Sequence, residues 1–344
     1  MKCWFFLLVA GLSFLFGVGL GEGMVSESVS EVEKLLPEME VGAFDGLLGV
    51  EIVFGIGEVD AEKGAVVIVN GRNETFVKYR KVINELTAAG FSVYAFDHRG
   101  QGFSGRQLAD PHKGHVDSFD DYVADFHFFL EHIVNRRPHD SCLILAHSMG
   151  GTIVLLHELC YPGNFAGMVM TSPMLGFYTD PWPAFLVPPL LSLLEVLGQS
   201  QKYVPGGGAF KAQPFSDDNI LTSDRGNYDR SQRLMAEHPK IQLGSPTNAW
   251  VKQALVAIDE IKVGQAQEAV GGGSLRGVPL LIFQAGADRV VDNRAQEQFF
   301  RGLANNCELK LIPGARHEIL EERPELRDIA VQAMLDFFER VCGD

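Results

Sequence analysis

The sequence has 344 residues, of which 46% are hydrophobic, and its formal net charge is -15 at pH 7. This length and composition are typical of a globular protein with one large core. Because affinity for nucleic acid depends on neutralising phosphates with Lys and Arg, the acidic balance excludes nucleic acid from the expected partners.

The N-terminal segment differs from the rest of the chain. An apolar run at 4–20 follows Lys2 and precedes small residues, which is the layout of a signal peptide. Since the run is slightly short for a transmembrane helix, residues 1–23 are interpreted as a signal peptide or a membrane anchor of an exported or membrane-anchored protein. The alternative is translation from Met24, which gives a cytoplasmic protein. The acidic stretch up to about Glu40 is expected to be flexible.

From about residue 41, short apolar runs alternate with segments of helical periodicity, a pattern that predicts an α/β protein with a mostly parallel central sheet and helices on both faces. Strands are predicted at 65–69, 91–96, 142–146, 165–170, 279–283 and 308–312, and helices at 77–89, 118–134, 152–160, 293–303 and 324–341.

The alternation stops between residues 173 and 276, where proline, glycine and aromatic residues mix with short helical patterns. This segment is interpreted as a mainly helical cap inserted into a core formed by 41–172 and 277–344. Its apolar stretch 181–197 is expected to pack on the core, and it could also hold an acyl chain or touch a membrane.

The strand at 142–146 runs directly into the sequence AHSMGG at 146–151 and then into a helix. A nucleophilic serine needs this strand-turn-helix context, with small flanking residues that let strand and helix approach closely, as in Gly-x-Ser-x-Gly. Ser148 is therefore the candidate nucleophile, although Ala146 stands at the position of the first glycine. The alternative for Ser148 alone is an ordinary helix-capping serine.

Two further residues follow later predicted strands in the order that a catalytic triad on this kind of sheet requires. Asp288 lies in the loop after 279–283, and His317 lies in the loop after 308–312. We expect the Asp288 carboxylate to orient the His317 imidazole, which acts as the general base. Asp292 is a near rival, more simply interpreted as a solvated residue at a helix start.

An acyl-transfer site also needs backbone N–H groups that stabilise the oxyanion. One donor is expected from Met149, directly after the nucleophile, and the second from Arg72 in the turn after the strand at 65–69. The five cysteines are scattered without C-x-x-C spacing, so no zinc site or disulfide framework is predicted, and no metal or cofactor is implied.

Three motifs together resemble the monoacylglycerol lipase and bacterial lysophospholipase group of α/β-hydrolases, which are serine aminopeptidase S33-like hydrolases. They are NGRNE at 70–74, FDHRGQGFSGR at 96–106 and the serine turn. The resemblance implies the α/β-hydrolase fold, a triad of Ser148, Asp288 and His317, and an oxyanion hole at Arg72 and Met149. The loop at 97–106 is interpreted as a structural turn beside the site. Asn70 and Ala146 depart from many relatives, which have His and Gly there.

Within the predicted cap, PMLG at 173–176, NILTS at 219–223 and GSPTNAW at 244–250 are similar to the lysophospholipase branch. The resemblance therefore implies hydrolysis of a single-chain lipid ester, a lysophospholipid or a monoacylglycerol, through an acyl-enzyme on Ser148. Membrane association through the N-terminal segment or the cap is an accompanying expectation. The alternatives are a generic carboxylesterase and a non-catalytic binding protein of the same fold.

Overall fold

The computed structural model describes residues 26–179, 183–271, 275, 277–303 and 306–343. The predicted signal peptide at 1–23 and the alternative start at Met24 lie outside these residues. The strands are β1 Glu40–Asp45, β2 Glu51–Gly57, β3 Gly64–Val69, β4 Phe91–Phe96, β5 Cys142–His147, β6 Gly167–Thr171, β7 Leu280–Ala285 and β8 Cys307–Ile312. The helices are α1 Glu27–Leu35, α2 Arg80–Ala88, α3 Phe119–His132, α4 Met149–Cys160, α5 Val187–Val196, α6 Arg225–Glu237, α7 Asn248–Gly271, α8 Asn293–Gly302 and α9 Pro324–Gly343.

In the described part of the chain, the strands form one eight-stranded sheet in the order β1-β2-β4-β3-β5-β6-β7-β8. The strands from β3 onward pair in parallel, whereas β2 is antiparallel to both β1 and β4. All six predicted strands are present, and the predicted α/β fold with a mostly parallel sheet is confirmed. The sequence analysis missed β1 and β2, which form an antiparallel pair at one edge.

The expectation of a flexible stretch up to Glu40 was wrong, because α1 lies within it. Ser26 caps this helix by accepting a hydrogen bond from the backbone N–H of Val29. Val29, Val32 and Leu36 are buried against the core, at the spacing that places apolar residues on one helical face. Packing of this face stabilises a short helix whose remaining surface is acidic.

Both faces of the sheet are covered, and alternate residues of β3 show how. Val67 and Val69 lie in a core shared with α3, α4 and α7, whereas Val66 and Ile68 lie in a core shared with α1, α2 and α9. Strands buried on both faces must be apolar throughout, which explains the uninterrupted runs in the sequence. The sheet is therefore a rigid platform for the loops at its carboxyl edge.

The predicted cap contains α5, α6 and the α7 helix in its described part. The α5 helix exposes most of its apolar residues, with Leu191 as a buried exception. The α7 helix packs into the core through Trp250, Ala254 and Ile258. The division of the chain at 173 and 276 stays a prediction. No helix of the described residues is both long enough and apolar enough to cross a membrane.

Candidate active site

Ser148 occupies the sharp turn between β5 and α4. Its backbone has φ 50° and ψ -115°, which is a strained conformation for a residue with a side chain. The turn packs closely on the end of β3, since a Cβ atom at Gly150 would lie 2.1 Å from the carbonyl oxygen of Val69. Glycine is therefore required at that position. Ala146, by contrast, lies within β5 as an ordinary strand residue paired with Val69 and Met170, so its methyl group is tolerated.

The Ser148 side chain does not cap α4, although the residue stands at the capping position. Its hydroxyl oxygen lies 2.9 Å from Nε2 of His317, and Nδ1 of that ring lies 2.8 Å from Oδ2 of Asp288. The three side chains, which follow β5, β8 and β7 respectively, thus form one hydrogen-bonded chain. All three residues are buried.

The environment of Asp288 fixes the proton arrangement in this chain. Its Oδ1 accepts hydrogen bonds from the backbone N–H groups of Val290 and Val291 at 2.8 and 3.0 Å. Burial raises the pKa of the Asp288 carboxyl, but the hydrogen bond from His317 and those from the backbone outweigh it and lower the pKa below 3.8. An ionised Asp288 accepts a hydrogen bond from the protonated Nδ1 of His317, which leaves Nε2 as the acceptor for the Ser148 hydroxyl.

The rival carboxylate, Asp292, has a different place. It is the N-cap of α8, and its Oδ1 accepts a hydrogen bond from the backbone N–H of Arg294 at 3.0 Å. Its side chain also forms an ion pair with the Arg294 guanidinium. Asp292 is thus a residue at a helix start, which is the simpler of its two interpretations from the sequence.

The loop after β3 brings Arg72 close to Ser148. A Cβ atom at Gly71 would lie 3.3 Å from Cβ of Ser148, so this loop packs directly on the serine turn. Side chains hold the N–H groups on either side of Arg72: Glu74 accepts from Gly71 at 2.6 Å, and Gln101 accepts from Asn73 at 3.2 Å. Met149 is the first residue of α4, so its N–H has no acceptor within the helix.

A buried ion-pair network lies behind this loop. Lys78 donates to Glu74 at 2.7 Å and is paired with Glu318, the residue after His317, at 2.8 Å. Burial alone would raise the pKa of Glu74, but the Lys78 ammonium lowers it to about 2. Burial lowers the pKa of His147, whose Nε2 lies 3.9 Å from Glu74. The network joins the Arg72 loop, the serine turn and the His317 loop.

Sequence reasoning missed this network. Its one local signal is the spacing of Glu74 and Lys78, four residues apart on one turn. Glu318 gives no signal of its own, because its partner is distant in sequence.

The motif at 97–106 lies beside the site, and Asp97 organises it. Its carboxylate accepts hydrogen bonds from the Asn70 side chain at 3.1 Å, the Thr75 hydroxyl at 2.9 Å, and the backbone N–H groups of Phe76 and Phe103 at 2.7 Å each. Burial raises the pKa of Asp97 to about 6. The contacts support the structural interpretation of this motif, and they give Asn70 a role as a donor.

Among the described residues, no group of three or more His, Cys, Asp or Glu side chains is arranged to hold a metal ion. The site itself supplies a strained serine hydroxyl, an imidazole acceptor oriented by a carboxylate, and two nearby backbone N–H groups. This arrangement suits nucleophilic attack on an acyl carbon.

The model of the family "Serine aminopeptidase, S33" matches residues 60–324. The chain is 38% identical over 289 residues to lysophospholipase L2 of Escherichia coli (strain K12), covering 80% of each protein. It is 26% identical over 282 residues to a monoacylglycerol lipase of Mycolicibacterium smegmatis, covering 81% of this chain and 90% of that protein.

Solved structures share the fold at lower identity. A carboxyl esterase from Bacillus coagulans has a TM-score of 0.73 and 18% identity, covering 88% of this chain and 99% of its own. A monoglyceride lipase from Saccharomyces cerevisiae has a TM-score of 0.66 and 17% identity, covering 88% and 95%. With its eight-stranded sheet and its match over most of its length, the chain belongs to the serine aminopeptidase S33 family of α/β-hydrolases.

Proposed function

We propose that this protein is a serine hydrolase that cleaves the carboxylic ester of single-chain lipids, with lysophospholipid as the preferred class. The observation that carries the proposal is the hydrogen-bonded chain from Ser148 through His317 to Asp288 at the carboxyl edge of the sheet. The names of the relatives, lysophospholipase L2 and monoacylglycerol lipase, support the substrate class.

In the proposed reaction, the Ser148 oxygen attacks the acyl carbon of the ester while Nε2 of His317 takes the hydroxyl proton. Asp288 keeps Nδ1 protonated and stabilises the imidazolium that forms. As the tetrahedral intermediate collapses, His317 returns the proton to the departing alcohol oxygen, and the acyl group stays on Ser148. Water then attacks the acyl carbon while His317 takes its proton, and the bond between Ser148 and the acyl group breaks as His317 returns that proton to the Ser148 oxygen, which releases the fatty acid.

The backbone N–H groups of Arg72 and Met149 are assigned to the oxyanion. Two preorganised donors stabilise the negative charge that develops on the carbonyl oxygen in the transition state more than they stabilise the substrate. The side chains of Glu74 and Gln101, which hold the N–H groups flanking Arg72, support this assignment because they fix the loop before substrate arrives.

The lipid assignment has a second support in the predicted cap. The helix α5 and the turn before it expose a set of large apolar side chains, with Phe185 75%, Leu193 55% and Val196 83% exposed. Such a cluster is unusual on a protein surface that meets only water. We propose that this face contacts the lipid surface from which the substrate is drawn. Cosedimentation with phosphatidylcholine vesicles should fall when Leu193 and Val196 are replaced by Ser, and undiminished binding would contradict this contact.

Export is a separate proposal that rests on residues 1–23 alone. N-terminal sequencing of the mature protein tests it. After cleavage of a signal peptide, protein recovered outside the cytoplasm is expected to begin at a residue between the apolar run and Met24, whereas protein that begins at Met1 or Met24 and stays in the cytoplasm would contradict export.

A substrate panel tests the proposed activity. Purified protein is assayed with p-nitrophenyl esters of short and long acyl chains, with a 1-monoacylglycerol and with lysophosphatidylcholine, and Ser148→Ala serves as the blank. We expect the long-chain lipids to be cleaved with higher kcat/KM than the short esters. A preference for short acyl chains would instead identify a generic carboxylesterase.

A further inference from the structure

The Arg72 side chain runs from the candidate oxyanion loop into the predicted cap. Its Nη2 donates to the carbonyl oxygen of Gly244 at 2.6 Å, and its guanidinium carbon lies 5.3 Å from the ring centre of Trp250. On another side it lies against Gly114, where a Cβ atom would come within 2.5 Å of Nη2. Its Nε is buried and has no hydrogen-bond partner among the described residues.

Other buried arginines of the described residues have a carboxylate partner or engage most of their donors, although Nη1 of Arg99 has no hydrogen bond and lies 3.8 Å from Asp121. Arg99 is paired with Asp125 through two contacts of 2.6 Å, and Arg327 is paired with Glu85 at 2.9 and 2.6 Å. Arg106 has no carboxylate partner in the described chain, but its Nε and both Nη atoms donate to backbone carbonyl oxygens. These side chains are accounted for as parts of the fold.

Arg72 is different, because the described residues give its charge no carboxylate partner and engage only one of its nitrogen atoms. Burial lowers the pKa of its guanidinium from 12.5 to about 10, and only the nearby Tyr122 acts to raise the pKa. The group is still a cation at neutral pH. A buried charge without a counter-ion is costly, so an anionic ligand would relieve that cost.

The position of this cation relative to the reaction is informative. Gly71 packs on Ser148, so the guanidinium lies one side-chain length from the Arg72 N–H that is assigned to the oxyanion. An ester whose carbonyl oxygen is bound by this N–H therefore has its acyl carbon within about one arginine side-chain length of the guanidinium. A planar guanidinium binds phosphate oxygens through paired N–H groups, and here Nε–H is available for such a bond.

We propose that the Arg72 guanidinium binds the phosphate of a lysophospholipid on the alcohol side of the scissile ester. This inference rests on the proposed hydrolysis at Ser148 and adds the element that distinguishes a phosphate-bearing head group from the bare glycerol of a monoacylglycerol. Arg72 thus has two separate parts in the site: its backbone N–H faces the oxyanion, and its side chain selects the substrate.

The test is a ratio of two activities in the same variant. The kcat/KM for lysophosphatidylcholine is divided by that for a 1-monoacylglycerol of the same acyl chain, in wild type, Arg72→Met and Arg72→Lys. Any displacement of the Arg72 backbone slows both substrates and cancels in the ratio. Loss of a charge-assisted phosphate contact lowers the ratio by about tenfold or more in R72M. R72K keeps the charge but loses the paired donors, so its ratio should lie between those of R72M and wild type.

Arg106→Gln is the matched control, since it removes another largely buried guanidinium that has no carboxylate partner among the described residues. Its ratio should equal that of wild type. Equal losses on both substrates in R72M would mean that the side chain only positions the loop, and would overturn the phosphate assignment while leaving the hydrolase proposal intact. If wild type cleaves neither lipid, the proposed function itself fails, and the phosphate site fails with it.

Discussion

Replacing Asp288 by Asn changes one atom of the site and should remove nearly all activity. The amide must adopt a single orientation, because Oδ1 accepts hydrogen bonds from two backbone N–H groups, those of Val290 and Val291. The NH₂ group is therefore forced into the Oδ2 position, 2.8 Å from Nδ1 of His317. A donor at that position stabilises the tautomer with an unprotonated Nδ1, so Nε2 carries the proton and no longer accepts one from Ser148.

The magnitude follows from this loss of the general base. A wrong histidine tautomer with otherwise intact geometry lowers kcat by about 10⁴-fold in a serine protease, which corresponds to about 5.4 kcal/mol in the activation free energy. The free energy of unfolding should change less than the activation free energy, because Asn has the shape of Asp and keeps both backbone hydrogen bonds. The free energy of unfolding is expected to fall by roughly 1–3 kcal/mol through loss of one charge-assisted bond.

The assay is single-turnover and steady-state hydrolysis of a lysophospholipid by D288N, with urea unfolding of the same preparation to establish that it is folded. Asp292→Asn is the matched control, because it removes the neighbouring loop carboxylate that caps α8. D292N should keep kcat within a few-fold of wild type. A folded D288N with more than a tenth of wild-type kcat would refute the assignment of Asp288 to the His317 tautomer.

Two further predictions concern the support of the site. Glu74→Gln should lower the free energy of unfolding at pH 7 by on the order of 1–3 kcal/mol, since it removes a charge-assisted contact with Lys78, whose ammonium holds the Glu74 pKa below 4.5. That stabilisation is complete above pH 4.5 and is lost as the pH falls through about 2. Urea unfolding should therefore give a smaller difference in unfolding free energy between wild type and variant at pH 3 than at pH 7. A difference that stays constant would contradict this reasoning. Gly150→Ala should cost at least about 3 kcal/mol, because its Cβ would meet a backbone oxygen at 2.1 Å. Ala146→Gly should cost about 1 kcal/mol or less, and equal costs in thermal unfolding would refute the close approach at Gly150.

The parallel core was predictable because its signals are local. Each buried strand is an apolar run, and Ser148, Asp288 and His317 each follow such a run, so their convergence at one edge of the sheet follows from parallel pairing. Ala146 looked like a defect in the motif, but a methyl group at a strand position is harmless. The glycine that steric contact requires is Gly150, on the helix side of the turn.

The features that could not be predicted from the sequence depend on contacts between residues that are distant in the chain. The helix α1 is acidic on its surface, and its local signals, the Ser26 cap and the spacing of Val29 and Val32, are weak without the core against which it packs. The Lys78–Glu318 pair and the contact of Arg72 with Gly244, 172 positions apart, arise from the way loops meet above the sheet. No periodicity encodes such contacts, so beyond the four-residue spacing of Glu74 and Lys78, neither the ion-pair network nor the surroundings of the Arg72 guanidinium could be predicted from composition or spacing.

The most direct test of the central claim is covalent labelling by a fluorophosphonate, which reacts with an activated serine and stays on its oxygen. Intact mass spectrometry of wild-type protein should show addition of a single phosphonyl group, and peptide mapping should locate it on Ser148. The Ser148→Ala variant should gain no mass, provided that it is folded and melts at the same temperature as wild type. A folded wild type that remains unlabelled, or that is labelled at another residue, would contradict Ser148 as the nucleophile.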